Sequence, residues 1–326
     1  MCENFRCAKL VSSLIIWQIS ILINWYAIYK NRFEIAKLLK EFKRLEKKQR
    51  FKFTKYASLV NIITALFLLS CIAFWGTAIV VISMDVEEAK RWFEDLTFNK
   101  NLSVNYSLKV VFTSMYIAST RICRLVTPLL LALFYIYWCL NLKRFIKLSA
   151  EQLHASLKNP NKQFLLTHFI HHYNSCHGLA LLTESALCEQ IFWLMVSQFI
   201  VLFAILSKIL GFYGYFNVIL DVENSVFASL QSISFLTIIF FASAVKREDE
   251  DLRNQVHHIG FQWSLADETK ECSKLLVRFI ESKHHLVLTA WGIFQFTKSF
   301  LFSSIGVLIT YNLLFLQLGT PPEEEE

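Results

Sequence analysis

The stretch Gly306–Leu318, GVLITYNLLFLQL, follows a further apolar run and precedes the acidic end PPEEEE. It has the composition of the last turns of a membrane helix, yet Thr310, Tyr311, Asn312 and Gln317 interrupt it. An unpaired amide or phenol in hydrocarbon is costly. A helix that keeps such groups must give them a partner or water.

The rest of the chain has the same character. Its 326 residues are 55% hydrophobic and 15% aromatic, with 30 Phe, and its mean hydropathy is +0.42. Soluble domains carry about 45–50% apolar and about 25% charged residues. Here charged residues make up only 18%, and they are clustered, which leaves long apolar runs between them. That pattern belongs to a polytopic membrane protein. With 8 Gly and 4 Pro and no segment of period two, the expected fold is all-α rather than a β-barrel.

Hydropathy predicts six spans, at 10–29, 57–83, 108–142, 190–216, 225–245 and about 299–318. They form one transmembrane domain over 1–318, followed by an acidic tail, 319–326, disordered by composition. The third span is longer than a bilayer needs, and Thr127-Pro128 predicts a kink in it. The connecting segments set the direction. Segments 30–56, 143–189 and 246–290 hold 11, 5 and 7 Lys/Arg, whereas the opposite side has only Arg6, Lys9, Lys90, Arg91 and Lys100. The basic side is therefore expected in the cytoplasm, with both termini outside. The sequons at Asn101 and Asn105 both fall in 84–107, on the predicted outer side, and are the expected glycosylation sites.

Segment 30–56 places Phe33, Ala36, Leu39, Phe42 and Leu45 at three-residue steps among lysines. It reads as a cytoplasmic extension packed on its neighbours, or as a basic helix lying on anionic lipid. Segments 150–189 and 250–288 are polar and nearly free of Gly and Pro. They are expected to carry helices beyond the membrane into a cytoplasmic bundle.

Several motifs invite chemistry. His168, His171 and His172 match an H-x-x-H-H di-iron box, but His257-His258 and His284-His285 have Asn254 and Glu281 where the upstream histidine should stand. One box leaves two irons short of ligands. Cys176 and His177 extend the first box toward a zinc set. The expectation is no metal, no cofactor and no catalytic residue, with the histidines on a solvated helix. The eight cysteines form no C-x-x-C pair, and the net charge of +7 follows from the topology rule and needs no nucleic acid. Arg121 and Arg124, inside the third span, either face a ligand cavity or pair structurally.

The end of the chain then suggests a family. TYNLLFLQL resembles the signature of insect gustatory receptors: Thr-Tyr, five mainly hydrophobic residues, then Gln-Phe, closing the last helix. The preceding LTAWGIFQFTKSFLFSSIGVLI is similar to that family's approach to the helix, with Gly292 and Phe294 in place. Leu318 stands where the signature has Phe, and Asn312 takes a hydrophobic position. The resemblance implies seven spans with a cytoplasmic N-terminus. Matched from the C-terminal end, 10–29 becomes the second, and the first is missing.

The resemblance further implies a ligand-gated cation channel in the plasma membrane of sensory neurons, with an extracellular C-terminus. Four like or related subunits would bring their last helices around a pore, and a small organic tastant would open it. Thr310, Tyr311, Leu314, Gln317 and Leu318 are then the expected pore and gate residues. Trp17, Gln18, Trp75, Tyr116, Thr120, Arg121, Tyr213 and Gln231 are the candidates for the ligand pocket. The competing readings are an orphan membrane transporter, which should show internal repeats, and a membrane-bound His-box enzyme, which should show a complete ligand set.

Overall fold

The computed structural model describes residues 19–49, scattered helical positions between 58 and 76, and then 106–121, 126–157, 162–207 and 218–319. The protein is an all-α polytopic membrane protein. After a helical stretch at 19–30 come α1 (Arg32–Gln49), α2 (Tyr106–Arg121), α3 (Thr127–Leu157), α4 (Lys162–Ser207) and α5 (Val218–Ser264). A 3-10 turn (Asp267–Thr269), α6 (Lys270–Glu281), a hairpin of β1 (Thr289–Ala290) and β2 (Phe294–Gln295), and α7 (Lys298–Gly319) complete the order. Two compact units are present, Met1–Phe53 with Phe134–Glu326, and Thr54–Leu133.

Among the described residues, three helical segments are long and apolar enough to cross a membrane: Thr127–His154, Leu166–Leu206 and Ser225–Ser264. α4 and α5 run unbroken through the predicted ends of their spans at 190 and 245, with 46 and 47 residues. Nothing in α4 stops it, because it lacks Pro and Gly178 is its one glycine. Pro128 is the second residue of α3, and Val126 just before that helix is π-helical. The kink expected there depends on 122–125, which lie outside the described residues, as do 10–18 and most of 57–83.

The larger unit is built around α4. On α3, Trp138, Cys139, Leu142, Phe145 and Ile146 are buried, and on α4 Phe169, Tyr173, Leu187 and Ile191 are. α1 adds Leu38 and Phe42, with the Phe42 ring edge-on to Trp138 at 4.7 Å. So 30–56 begins as a packed extension of the preceding helix, the first of its two readings. Backbone bonds from Asn31 to Ala27 and from Ile35 to Asn31 carry the helix through the junction.

The three-residue series was the wrong ruler. At 3.6 residues per turn such steps drift around the helix, so Phe33 is 72% exposed and Leu39 also faces out. The buried stripe is Leu38 and Phe42, flanked by half-buried Ile35 and Leu45.

Polar ties hold these helices in register. Asn24 donates to the Gln190 carbonyl at 3.2 Å while Gln190 donates to that of Ala27 at 3.1 Å, both buried. Gln198 donates to Ser234 Oγ at 2.7 Å between α4 and α5. In an apolar surrounding such amides lock one rotation of each helix. α5 and α6 approach closely at Gly260, where an added Cβ would lie 2.7 Å from Val277 Cγ2.

Candidate functional site: the last helix and its mounting

Thr297 starts α7 as an N-cap, its Oγ1 accepting the Phe300 N–H at 3.1 Å. The helix packs on α4 and α5 through a narrow stripe, Ser304, Leu308 and Asn312, spaced by four and all buried. The two polar members bond within the helix, Ser304 to the Phe300 carbonyl and Asn312 to that of Leu308, each at 2.8 Å. Asn312, a departure from the family signature, therefore faces inward and is fully buried.

The remaining circumference is open in the single chain. Phe302, Ile305, Val307, Ile309, Leu313 and Leu314 are exposed apolar residues, and Thr310, Tyr311 and Gln317 are exposed beside them. Four of the five expected pore residues thus lie on the face turned away from the rest of the chain. The Leu318 backbone is helical, and its side chain lies outside the described residues.

A hairpin that hydropathy does not predict mounts α7. Between α6 and α7 the chain makes a tight hairpin with Thr289 opposite Gln295 and Ala290 opposite Phe294. Trp291 and Gly292 have φ of 53° and 70°, and the Ile293 N–H closes the turn on the Ala290 carbonyl at 3.0 Å. Two successive positive φ values suit the glycine and strain the tryptophan.

α4 pins this turn. The Glu184 carboxylate accepts the Thr289 N–H at 3.0 Å and also its hydroxyl. One turn along α4, the Cys188 carbonyl accepts the Trp291 N–H at 3.2 Å. Phe192 stacks on Phe294 with ring centroids 5.8 Å apart, and Trp291 packs beside it. Glu184→Gln presents one acceptor where two donors arrive and is expected to cost about 1.5–3 kcal/mol, the range for a hydrogen bond to a charged group. A lowered thermal midpoint of the purified protein checks this. An unchanged midpoint would mean that the aromatic stack alone holds the hairpin.

Below the hairpin, a buried polar network joins α4, α5 and α6. Arg253 donates to Asp249 Oδ2 at 2.8 Å, to the Ile280 carbonyl at 2.9 Å, to the His284 carbonyl at 2.7 Å and to Tyr173 Oη at 3.2 Å. Tyr173 donates to Asp249 Oδ1 at 2.6 Å, and the Leu286 N–H to Oδ2 at 3.1 Å. Asp249, Arg253 and Tyr173 are all buried. A cavity of about 400 Å³ beside them is lined by Glu250, Asn254, His257, Glu281, Lys283 and His285 among others. Its walls are charged, unlike the mostly apolar pockets that take small organic ligands.

The histidines diverge. His172 is buried, its Nδ1 2.6 Å from Ser149 Oγ, and His177 Nε2 lies 3.1 Å from the His284 carbonyl. His168, His171, His257 and His258 are exposed. Among the described residues no group of three or more His, Cys, Asp or Glu could hold a metal.

Of the pocket candidates, Gln231 is buried on α5, and its Oε1 meets no hydrogen-bond donor among the described residues. Tyr116, Thr120 and Arg121 lie on the α2 backbone with side chains outside the described residues. Trp17, Gln18, Trp75 and Tyr213, and the sequons at Asn101 and Asn105, also lie outside them. Of this set, Gln231 alone has its side chain among the described residues.

No protein-family model matches the chain, and no curated protein matches it in sequence. Its fold, however, is that of a solved class of receptor. The insect olfactory receptor OR5 from Machilis hrabei superposes with a TM-score of 0.54 at 12% identity, over 97% of this chain and 83% of that one. The same receptor in complex with eugenol gives 0.50 at 14% identity, over 98% and 83%. At such identity the likeness establishes the fold.

Proposed function

We propose that this chain is a chemosensory receptor subunit, a ligand-gated cation channel of the gustatory type. The observation that carries the reading is the position of the signature. The TYNLLFLQL stretch lies on a helix whose polar residues Thr310, Tyr311 and Gln317 face away from the subunit, in a chain with an insect olfactory receptor fold along nearly its whole length.

In this reading four like or related subunits place α7 around a pore, and water there satisfies the outward hydroxyls and amide. Six spans cross the plasma membrane of a sensory neuron, with the basic segments inside and Asn101, Asn105 and the C-terminus outside. The opening ligand is a small organic tastant.

The test is expression in cells, alone and with related subunits, under a broad panel of small organic compounds. A compound-evoked cation current with surface protein present is the expected result. Surface protein that stays silent to the whole panel, in every subunit combination, would overturn the reading.

A further inference from the structure

The helical stretch 19–30 has two contrasting faces. Ile21, Asn24 and Ala27 are buried. Ile19, Leu22, Trp25, Tyr26 and Tyr29 are exposed, and the stripe continues one turn into α1 with Phe33. These spacings of three and four keep the exposed set on one side of a continuous helix.

At the lower end of this stripe sits Arg32. Its guanidinium carbon lies 4.1 Å from the centre of the Tyr29 ring and 4.8 Å from that of Phe33. The rings are 65% and 72% exposed, so the cation is held at the surface rather than in a core. The nearby carboxylates are occupied elsewhere: Glu34 pairs with Lys37, and Glu189 takes Lys30 and Asn31. Among the described residues Arg32 makes no ion pair. A guanidinium braced between two rings keeps its planar donor edge free for a phosphate, which it can bind through two parallel hydrogen bonds.

We propose that Tyr29, Arg32 and Phe33 form a headgroup site for an anionic phospholipid of the leaflet on the basic side. The apolar stripe from Leu22 to Tyr29 receives an acyl chain, and Arg32 receives the phosphate. The site rests on the reading of 10–29 as a span ending near Tyr29, and it does not depend on channel activity. Charge and shape together select the occupant. A free phosphate would use Arg32 alone and leave the stripe bare, whereas a lipid covers both. Lys43 and Lys47, exposed farther along α1, are too distant to share the headgroup, since Lys43 lies about 16 Å along the axis from Arg32.

The experiment is native mass spectrometry of the full chain in detergent. It is supplied with phosphatidylcholine, with phosphatidylserine, or with soluble inorganic phosphate. Phosphatidylserine should be retained over phosphatidylcholine, because both present a phosphate to Arg32 but the quaternary ammonium of choline cancels its charge while the serine carboxylate keeps the headgroup net anionic. Arg32→Gln should lower its retention about fivefold, the loss of one basic residue at an anionic surface. Lys43→Gln should leave retention unchanged, and Tyr29→Ala should lower it. Both cations are exposed, so neither replacement empties a core. Equal retention of the two lipids would overturn the site. So would equal losses in Arg32→Gln and Lys43→Gln, which mean diffuse charge, or displacement of the lipid by inorganic phosphate. None of these outcomes bears on whether α7 lines a pore.

Discussion

Replacing Arg253 by methionine is expected to destabilise the protein by about 3–5 kcal/mol, the range for breaking one side of a buried ion pair. The side chains of Asp249 and Arg253 are 1% and 8% exposed, so the carboxylate left behind would stay largely desolvated. Asp249 would keep only the Tyr173 hydroxyl and the Leu286 N–H, while the Ile280 carbonyl would lose its side-chain donor. The charge left behind outweighs the apolar packing that methionine adds. Adding Asp249→Leu should recover part of the loss, because removing both charges relieves the desolvation that one alone suffers. Recovery stays incomplete, since Tyr173 Oη and the Leu286 N–H then lack their acceptor. Thermal midpoints of the three variants in detergent check this. If the single variant matched the parent, the network would not be what joins α4, α5 and α6.

Leu318→Ser is expected to raise the basal cation leak without any ligand, if α7 lines a pore in the assembled receptor. A hydrophobic constriction closes by dewetting, and a hydroxyl at that level favours the wetted state. Gln317→Ala is expected to change conductance or gating more than surface abundance if its exposed amide borders the pore. An amide bonded between helices would instead take folding energy with it, on the order of 1 kcal/mol. Whole-cell current normalised to surface protein separates the cases. Unchanged current per channel with less protein at the surface would make the polar stripe a structural tie.

The sequence by itself determined the class of fold. Apolar runs of about 20 residues must be helical in lipid, because every backbone N–H and C=O has to be satisfied within the segment. Scarce Gly and Pro then let α4 and α5 continue past the span ends that hydropathy predicts. The resemblance at 310–318 pointed to insect gustatory receptors, and the fold is similar to that of an insect olfactory receptor.

Orientation around each helix axis was not legible. In a soluble protein the apolar side of a helix faces inward, but in α7 the inward stripe of Ser304, Leu308 and Asn312 mixes polar and apolar residues, as the outward side does. Asn312 and Gln317 are both amides on that helix, yet Asn312 is fully buried and Gln317 is exposed. Hydropathy assigns them no different side. The long-range ties were equally hidden, because Glu184 meets Thr289 across 105 residues and Tyr173 meets Asp249 across 76. A carboxylate in a polar helical segment is ordinarily a solvated residue. Only the tertiary packing half-buries Glu184 against the hairpin and fully buries Asp249, and this turns each from a surface charge into the acceptor that holds its neighbours.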